Sequence, residues 1–302
     1  MSILDDPAVN RFLASHGRGS AGPPPLAVFD CDGTVIRGDI GESMFYFQIE
    51  HFHFRTSPAD VWRAHPRRDR LGDLFDALAR HDGAERRDRP EFEEFAGMLL
   101  DWYYGGIAAG RVAEACADIV RLFAGHTVEE VRAIARATFA GELSSPFLTR
   151  RLGGRNTSRG ARYLRESVEL LRALAARGFE IWAISGSNTW SVEPVFDRLG
   201  VPRTRVIGIE LEAVAGTLSD VPVVPVPIRE GKVAALRQRT PEVPLLVASD
   251  SKNDIPLFLY SGGLKVRVNS RGRDTADFFR AAGTQPDGSW VLIESPGTTE
   301  EA

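Results

Sequence analysis

Leu26-Ala27-Val28-Phe29-Asp30-Cys31-Asp32-Gly33-Thr34 is the stretch around which the rest of this sequence organises itself. The four apolar residues read as a short buried strand. Strand alternation turns Asp30 and Asp32 to one side at its carboxyl end, the edge where open α/β sheets form their ligand crevices. Two carboxylates one residue apart repel each other, so a fold keeps them when a cation lies between them or one holds a proton. A hard divalent metal with oxygen ligands meets that need. On their own, the last five residues are equally compatible with an Asp-Gly turn closing a strand.

Upstream, Pro23-Pro24-Pro25 delivers the chain stiffly into this strand, behind a loosely ordered lead-in over 1–22 with a short helix before Gly17. Downstream, the character changes between about 40 and 165. Apolar residues recur there at helical spacing, as in Leu71, Leu74, Phe75 and Leu78 or Phe92, Phe95, Met98 and Leu99, with breaks such as Ser57-Pro58 and Ser145-Pro146. Thr127 with Glu130 three residues later is a capping box opening one of these helices. This block reads as all-helical, with no strand in it. From about 165 strands and helices alternate again. Helices are expected over 167–177, 191–199, 232–239 and 255–260, and strands over 180–184, 245–248 and, last, 264–268, with short alternating runs at 205–212 and 214–219. That rhythm implies a parallel sheet covered on both faces, interrupted between its first and second strands by the helical block.

A 302-residue chain that is 43% hydrophobic can bury a large core. Its net charge of −4 gives no footprint for nucleic acid, and no apolar run approaches the ~20 residues that span a bilayer. Only Cys31 and Cys116 occur, which argues against a disulfide framework. The opening Met-Ser-Ile-Leu-Asp-Asp-Pro has neither a basic nor an apolar leader segment, so the expected location is cytoplasmic.

Three further strand ends add chemistry to the first. Ile184 runs into Ser185-Gly186-Ser187-Asn188, where a hydroxyl and backbone N–H groups precede a helix and suit phosphate oxygens. Ser249 runs into Asp250-Ser251-Lys252-Asn253-Asp254, a second acidic pair. Gly231-Lys232 opens a helix with one cation. Each item alone has an ordinary reading as a cap, a turn or a solvated lysine; their joint order favours a site.

With these residues in view, the sequence resembles the haloacid dehalogenase superfamily of phosphotransfer enzymes. Asp30, Asp32 and Thr34 match its Asp-x-Asp-x-Thr motif, Ser185 its second motif, Lys232 its lysine, and Asp250 and Asp254 its acidic pair. The resemblance covers roughly 26–40 and 165–280; the helical block matches the family's inserted cap by position. It implies a Rossmann-like α/β core built from 1–40 and 165–302, with a helical cap over 41–164. It also implies a phosphomonoesterase of a small phosphorylated metabolite, in which Asp30 is the nucleophile and Asp32 the general acid and base. Mg²⁺ would be held by Asp30, the Asp32 carbonyl and Asp250, with Asp254 in support. Ser185, Gly186, Thr34 and Lys232 would receive the phosphoryl oxygens. Relatives that cleave carbon–halogen bonds lack the residue matching Asp32, so its presence argues against dehalogenation. A phosphotransferase would use the same residues, and a non-catalytic binding protein of the same fold is the third reading.

Asp39, Glu42 and the Ser185-Gly186-Ser187 turn are similar to phosphoserine and phosphorylcholine phosphatases, and the run Arg37-Gly38-Asp39-Ile40-Gly41-Glu42-Ser43 is similar to the phosphorylcholine enzymes, which implies that Asp39 or Glu42 faces a positive amine. The plain alternative is charge on the first turn of a helix. Gly33, Ser249 and Ser251 depart from the phosphoserine phosphatase pattern and leave the serine substrate open. Trp102-Tyr103-Tyr104 is suited to a quaternary ammonium through cation–π contact, although core packing is the favoured reading. His51, His53 and His65 show no metal-ligand spacing.

Overall fold

The computed structural model describes residues 2–16 and 23–300; the remainder of the 1–22 lead-in lies outside the described residues. Helix α1 (Pro7–Ser15), capped by Asp6, precedes strand β1 (Leu26–Phe29) and the short β2 (Ile36–Arg37). A run of helices follows: α2 (Ile40–His51), α3 (Pro58–Val61), α4 (Arg68–Leu78), α5 (Gly83–Arg87), α6 (Pro90–Ala108), α7 (Val112–Arg121) and α8 (Val128–Ser144). The capping box at Thr127 and Glu130 is formed. Next come β3 (Leu148–Leu152), β4 (Arg155–Arg159), β5 (Arg162–Leu164), α9 (Arg165–Ala176), β6 (Glu180–Asn188), α10 (Thr189–Asp197) and β7 (Val206–Ile209). The chain continues through β8 (Leu211–Val214), β9 (Thr217–Pro222), α11 (Glu230–Arg239), β10 (Leu246–Ser249), α12 (Ile255–Tyr260), β11 (Leu264–Asn269), α13 (Thr275–Ala282), β12 (Trp290–Glu294) and β13 (Thr298–Thr299).

The main sheet has six parallel strands in the order β12-β11-β10-β1-β6-β7. β1 is therefore central, and its neighbours β6 and β10 come from far along the chain. Alternation sorts its side chains: Ala27 and Phe29 enter the core beneath α1 and α9, whereas Leu26 and Val28 enter the core beneath α11, α12 and α13. Cys31 continues the first series and is fully buried, which leaves Asp30 and Asp32 facing the other way. The chain runs outward from β1 to β6 and β7 and then returns to build β10, β11 and β12. The crevice at the carboxyl end of β1 thus lies at the switch of strand order.

The helices α2–α8 have a core of their own, built from residues such as Phe95, Leu99, Phe123 and Val131, that extends to Trp190, Ile209 and Ile228. Arg132 on α8 forks onto Glu193 of α10 at 2.8 and 2.9 Å, tying this block to the sheet's flanking helix. Two expectations need correction. The 148–164 segment is not helical: β3 and β4 form an antiparallel hairpin and β5 pairs with β2 and β13. Of the hairpin only Leu152 and Thr157 are buried, so it presents no apolar alternation to read. The strand over Leu264–Asn269 is also not the last of the sheet, because β12 pairs beside it in parallel.

Candidate active site

The turn after β1 is a tight one. Val35 and Ile36 both donate to the Cys31 carbonyl, Gly33 has φ +78°, and a methyl on Gly33 would collide with the Asp250 carboxylate. Glycine is what allows the β1 and β10 turns to approach this closely. The result is one cavity of about 260 Å³, and Asp30, Asp32, Asp39, Glu42, Ser185, Gly186, Lys232, Asp250 and Asp254 all line it. The expected residues, drawn from five separate segments, are brought together with one exception.

Asp30 is 5% exposed and Lys232 3%. The Lys232 ammonium donates to Asp30 Oδ1 at 2.9 Å and lies 2.7 Å from Asp254 Oδ1. Burial disfavours that charge, but the pairing with Asp254 and Asp30 more than reverses the effect, and the lysine is held above its ordinary range. Asp254, which also accepts from Ser249, is pushed by burial up to about 6 with Lys232 pulling it back. Its direct partner is therefore the lysine.

Asp32 is fixed through both oxygens. Ile40 N–H donates to Oδ1 at 2.7 Å, Ser187 Oγ to Oδ2 at 2.6 Å, and Ser185 Oγ to Oδ2 at 3.4 Å. Burial first, and then the nearby Asp39 carboxylate, raise its pKa well above the usual carboxylate range. A carboxyl whose pKa is raised suits proton delivery better than an ordinary one. Ser187 was quoted with its turn but not singled out in the sequence. A methyl on Gly41 would collide with its hydroxyl, so glycine lets the first turn of α2 come up against it.

Thr34 is the exception. Its hydroxyl donates to Asp30 Oδ2 at 3.3 Å and accepts the Asp250 N–H at 2.9 Å; it is fully buried and does not line the cavity. It braces two acids, and the expectation that it receives phosphoryl oxygens is corrected accordingly.

At the far end Glu42 meets three phenols. Tyr46 and Tyr104 donate to Oε2 at 2.9 and 3.4 Å, and Tyr103 donates to Oε1 at 3.1 Å. Burial, reinforced by Asp39, raises Glu42 to about 7, with the hydroxyls pulling it back. Asp39 is also the N-cap of α2, accepting the Glu42 N–H at 3.0 Å. Ile107, Val112, Cys116, Ile119 and Val120 form the apolar wall beside them. Trp102 is packing, stacked on Trp62 and donating to Asp118 at 2.8 Å. Trp190 is buried in the core of the helical block and lies away from the cavity.

Arg271, which the sequence did not single out, also lines the cavity. Its Nε lies 3.4 Å from Asp250 Oδ2 and its Nη2 3.7 Å from Asp39 Oδ2. Asp250 is 3% exposed, and its Oδ2 has no hydrogen-bond partner. Burial pushes its pKa up to about 6, opposed by Arg271. A buried carboxylate oxygen near Asp30 that makes no hydrogen bond among the described residues suits a hard cation. Among the described residues no group of three His, Cys, Asp or Glu side chains is disposed to hold a metal ion.

The family model described as haloacid dehalogenase-like hydrolase matches residues 71–259, more than half of the chain, and the chain belongs to that family. The matched span contains the Ser185 turn, Lys232 and the Asp250–Asp254 pair, but begins after Asp30. Among solved structures, a conserved protein of unknown function from Anaerococcus prevotii DSM 20548 superposes with a TM-score of 0.73 at 21% identity, covering 94% of this chain and 90% of that one. A protein of unknown function from Bordetella pertussis Tohama I gives 0.53 at 20% identity, with 89% and 98% covered. A substrate-bound phosphoserine phosphatase gives 0.42 at 13% identity, with 82% and 86% covered. The first two likenesses show a shared fold. No curated protein matches the sequence. No helix among the described residues is long and apolar enough to cross a membrane.

Proposed function

We propose that this hydrolase is a Mg²⁺-dependent phosphomonoesterase of a small phosphorylated metabolite, working through an aspartyl-phosphate on Asp30. The observation that supports this most is the Asp30–Lys232–Asp254 chain beside Asp32, whose pKa burial raises, all in one cavity. An Asp30 oxygen attacks phosphorus and the ester P–O bond breaks. Asp32 gives its proton to the departing alkoxide. A water then yields a proton to Asp32 and attacks the same phosphorus, so the Asp30–phosphorus bond breaks and inorganic phosphate leaves. Lys232 offsets phosphoryl charge throughout, and Ser185 Oγ and the Gly186 backbone lie where phosphoryl oxygens would be received. Asp30, the Asp32 carbonyl and Asp250 would hold the metal, which would supply charge neutralisation at the phosphoryl group. A non-catalytic binding protein has no use for a second buried carboxylate held beside Asp30 by two serine hydroxyls and a backbone N–H.

Residues 41–164 are read as the cap that shields this chemistry from bulk water. The β3–β4 hairpin belongs with it, since Arg150 reaches Glu50 of α2 at 2.6 Å. The Glu42–tyrosine end is where the leaving group lies, and a carboxylate with aromatic neighbours favours an amine-bearing one.

The test is Asp30→Asn assayed on p-nitrophenyl phosphate with Mg²⁺. The expected outcome is a loss of at least about 10³-fold in kcat with the circular dichroism spectrum unchanged. Wild-type enzyme quenched in acid during turnover carries one phosphoryl group on Asp30. Undiminished hydrolysis by the variant sinks the proposal.

A further inference from the structure

The loop after β11 is fastened to the β1 turn. Ser270 Oγ donates to the Gly33 carbonyl at 2.5 Å, and Asn269 closes the loop by accepting the Arg273 N–H at 2.7 Å and donating to its carbonyl at 3.0 Å. This anchoring aims Arg271 at the cavity. Its guanidinium, with five N–H donors, makes two ion pairs and no hydrogen bond among the described residues. One pair is with Asp250 Oδ2, the buried oxygen that lacks a hydrogen bond; Arg273 lies 3.9 Å from the same atom. The other is with Asp39, across the cavity mouth. Arg271 thus stands beside the carboxylate oxygen that suits a metal, held by charge and not by hydrogen-bond geometry. Asp250 is buried and the Arg271 side chain is 37% exposed, so a guanidinium and a divalent cation at that one oxygen repel, with solvent screening on the arginine side.

We infer that Arg271 is a tethered stand-in for the metal: it neutralises Asp250 and Asp39 in the metal-free chain, withdraws from Asp250 Oδ2 when a divalent cation binds, and so sets the affinity for that cation. The inference rests on the reading that Asp30 and Asp250 hold a metal. Two consequences of opposite sign follow from it. Removing the guanidinium takes from Asp39 its ion-pair partner and leaves Asp250 only the more distant Arg273, and it removes the competitor that the incoming metal must displace.

The experiment compares full-length wild type, Arg271→Gln and Arg271→Lys after treatment with chelator and desalting. Mn²⁺ binding is followed by electron paramagnetic resonance, Mg²⁺ binding by calorimetry, and thermal unfolding is recorded with and without Mg²⁺. Arg271→Gln is expected to bind Mn²⁺ about tenfold more tightly than wild type. Its metal-free melting temperature should fall, and its Mg²⁺-loaded melting temperature should return to the wild-type value. Arg271→Lys, with the charge kept on a different head group, should fall between. Equal or weaker Mn²⁺ binding by Arg271→Gln, with wild type still binding, overturns the role of Arg271 and leaves the metal reading standing. Absence of divalent binding in all three proteins overturns the metal reading and this inference with it.

Discussion

The two ends of the cavity handle buried carboxylates in opposite ways. At the sheet end Asp30 and Asp254 share the Lys232 ammonium, Asp250 has Arg271 and Asp32 has two serine hydroxyls and a backbone N–H. At the helical end Glu42 has three phenols, and the charge that bears on it most is another acid, Asp39. The sheet end balances its charge internally, as a site must if the same chemistry is to run on any ester. The helical end keeps a carboxylate hydrogen-bonded by neutral donors, an arrangement that the proposed amine-bearing leaving group would complete. On the proposed function, the reaction belongs to strand ends fixed by the sheet, and the choice of ester to side chains gathered from α2 and α6.

Lys232→Met tests the first half of that contrast most severely. It leaves Asp30 and Asp254 facing each other in a buried place without their shared cation. Loss of about 3–5 kcal/mol in unfolding free energy is expected, as when one partner of a buried pair is removed, together with a fall of about 10²–10³ in kcat. The lysine is held above its ordinary range, so its stabilisation is fully present below the unfolded lysine pKa and is lost only as pH rises through the folded value. The stability deficit of the variant, measured by urea titration, should therefore be present throughout pH 6–9. A variant as stable as wild type would show that the sheet end is not balanced by this ion pair.

Much of the sheet end could be read in the sequence, for a local reason. A short apolar run fixes a strand, the strand fixes which way Asp30 and Asp32 point, and a parallel sheet fixes that Ser185 and Asp250 emerge at the same edge. What escaped was mostly set by tertiary packing. Tyr46 and Tyr103 lie 57 positions apart and meet at Glu42 only because α2 and α6 pack together. Arg271 sits in a loop after a strand, where an arginine is unremarkable until its loop is seen tied to Gly33. The placing of Thr34 failed for a similar reason: its motif gives its neighbourhood, but only the approach of the Asp250 turn decides that its hydroxyl is already occupied. β12 did leave a signal, Trp290-Val291-Leu292-Ile293 after the turn-forming Asp287-Gly288.

Glu42→Gln addresses the second half of the contrast. On p-nitrophenyl phosphate its kcat should stay within about threefold of wild type, while the preference in kcat/KM for an amine-bearing over a neutral alkyl phosphate should fall about tenfold. Stability gives an independent reading. The folded carboxyl takes up its proton near pH 7 and the unfolded one near 4.5, so between these values the folded protein binds more protons. Wild-type stability should then decline as pH rises from 5 to 8, through this group by at most about 3 kcal/mol. The variant should be flatter over the same range. An unchanged slope would mean that Glu42 is not the strained carboxylate the geometry suggests.

Thr127→Ala probes whether the helical block can be weakened without touching either end. Its hydroxyl caps α8 at 3.2 Å from the Glu130 N–H, and Glu130 Oε2 accepts the Thr127 N–H at 2.8 Å. Losing the cap should cost about 1 kcal/mol in thermal or urea unfolding. Neither residue lines the cavity, and α8 remains pinned to α10 by Arg132 and Glu193. Turnover and substrate preference should therefore both match wild type. A changed preference at unchanged turnover would mean that the packing of α8, and not only the Glu42 cluster, shapes the leaving-group end. A changed turnover would go further, because the sheet end would then depend on how firmly the helices above it are held.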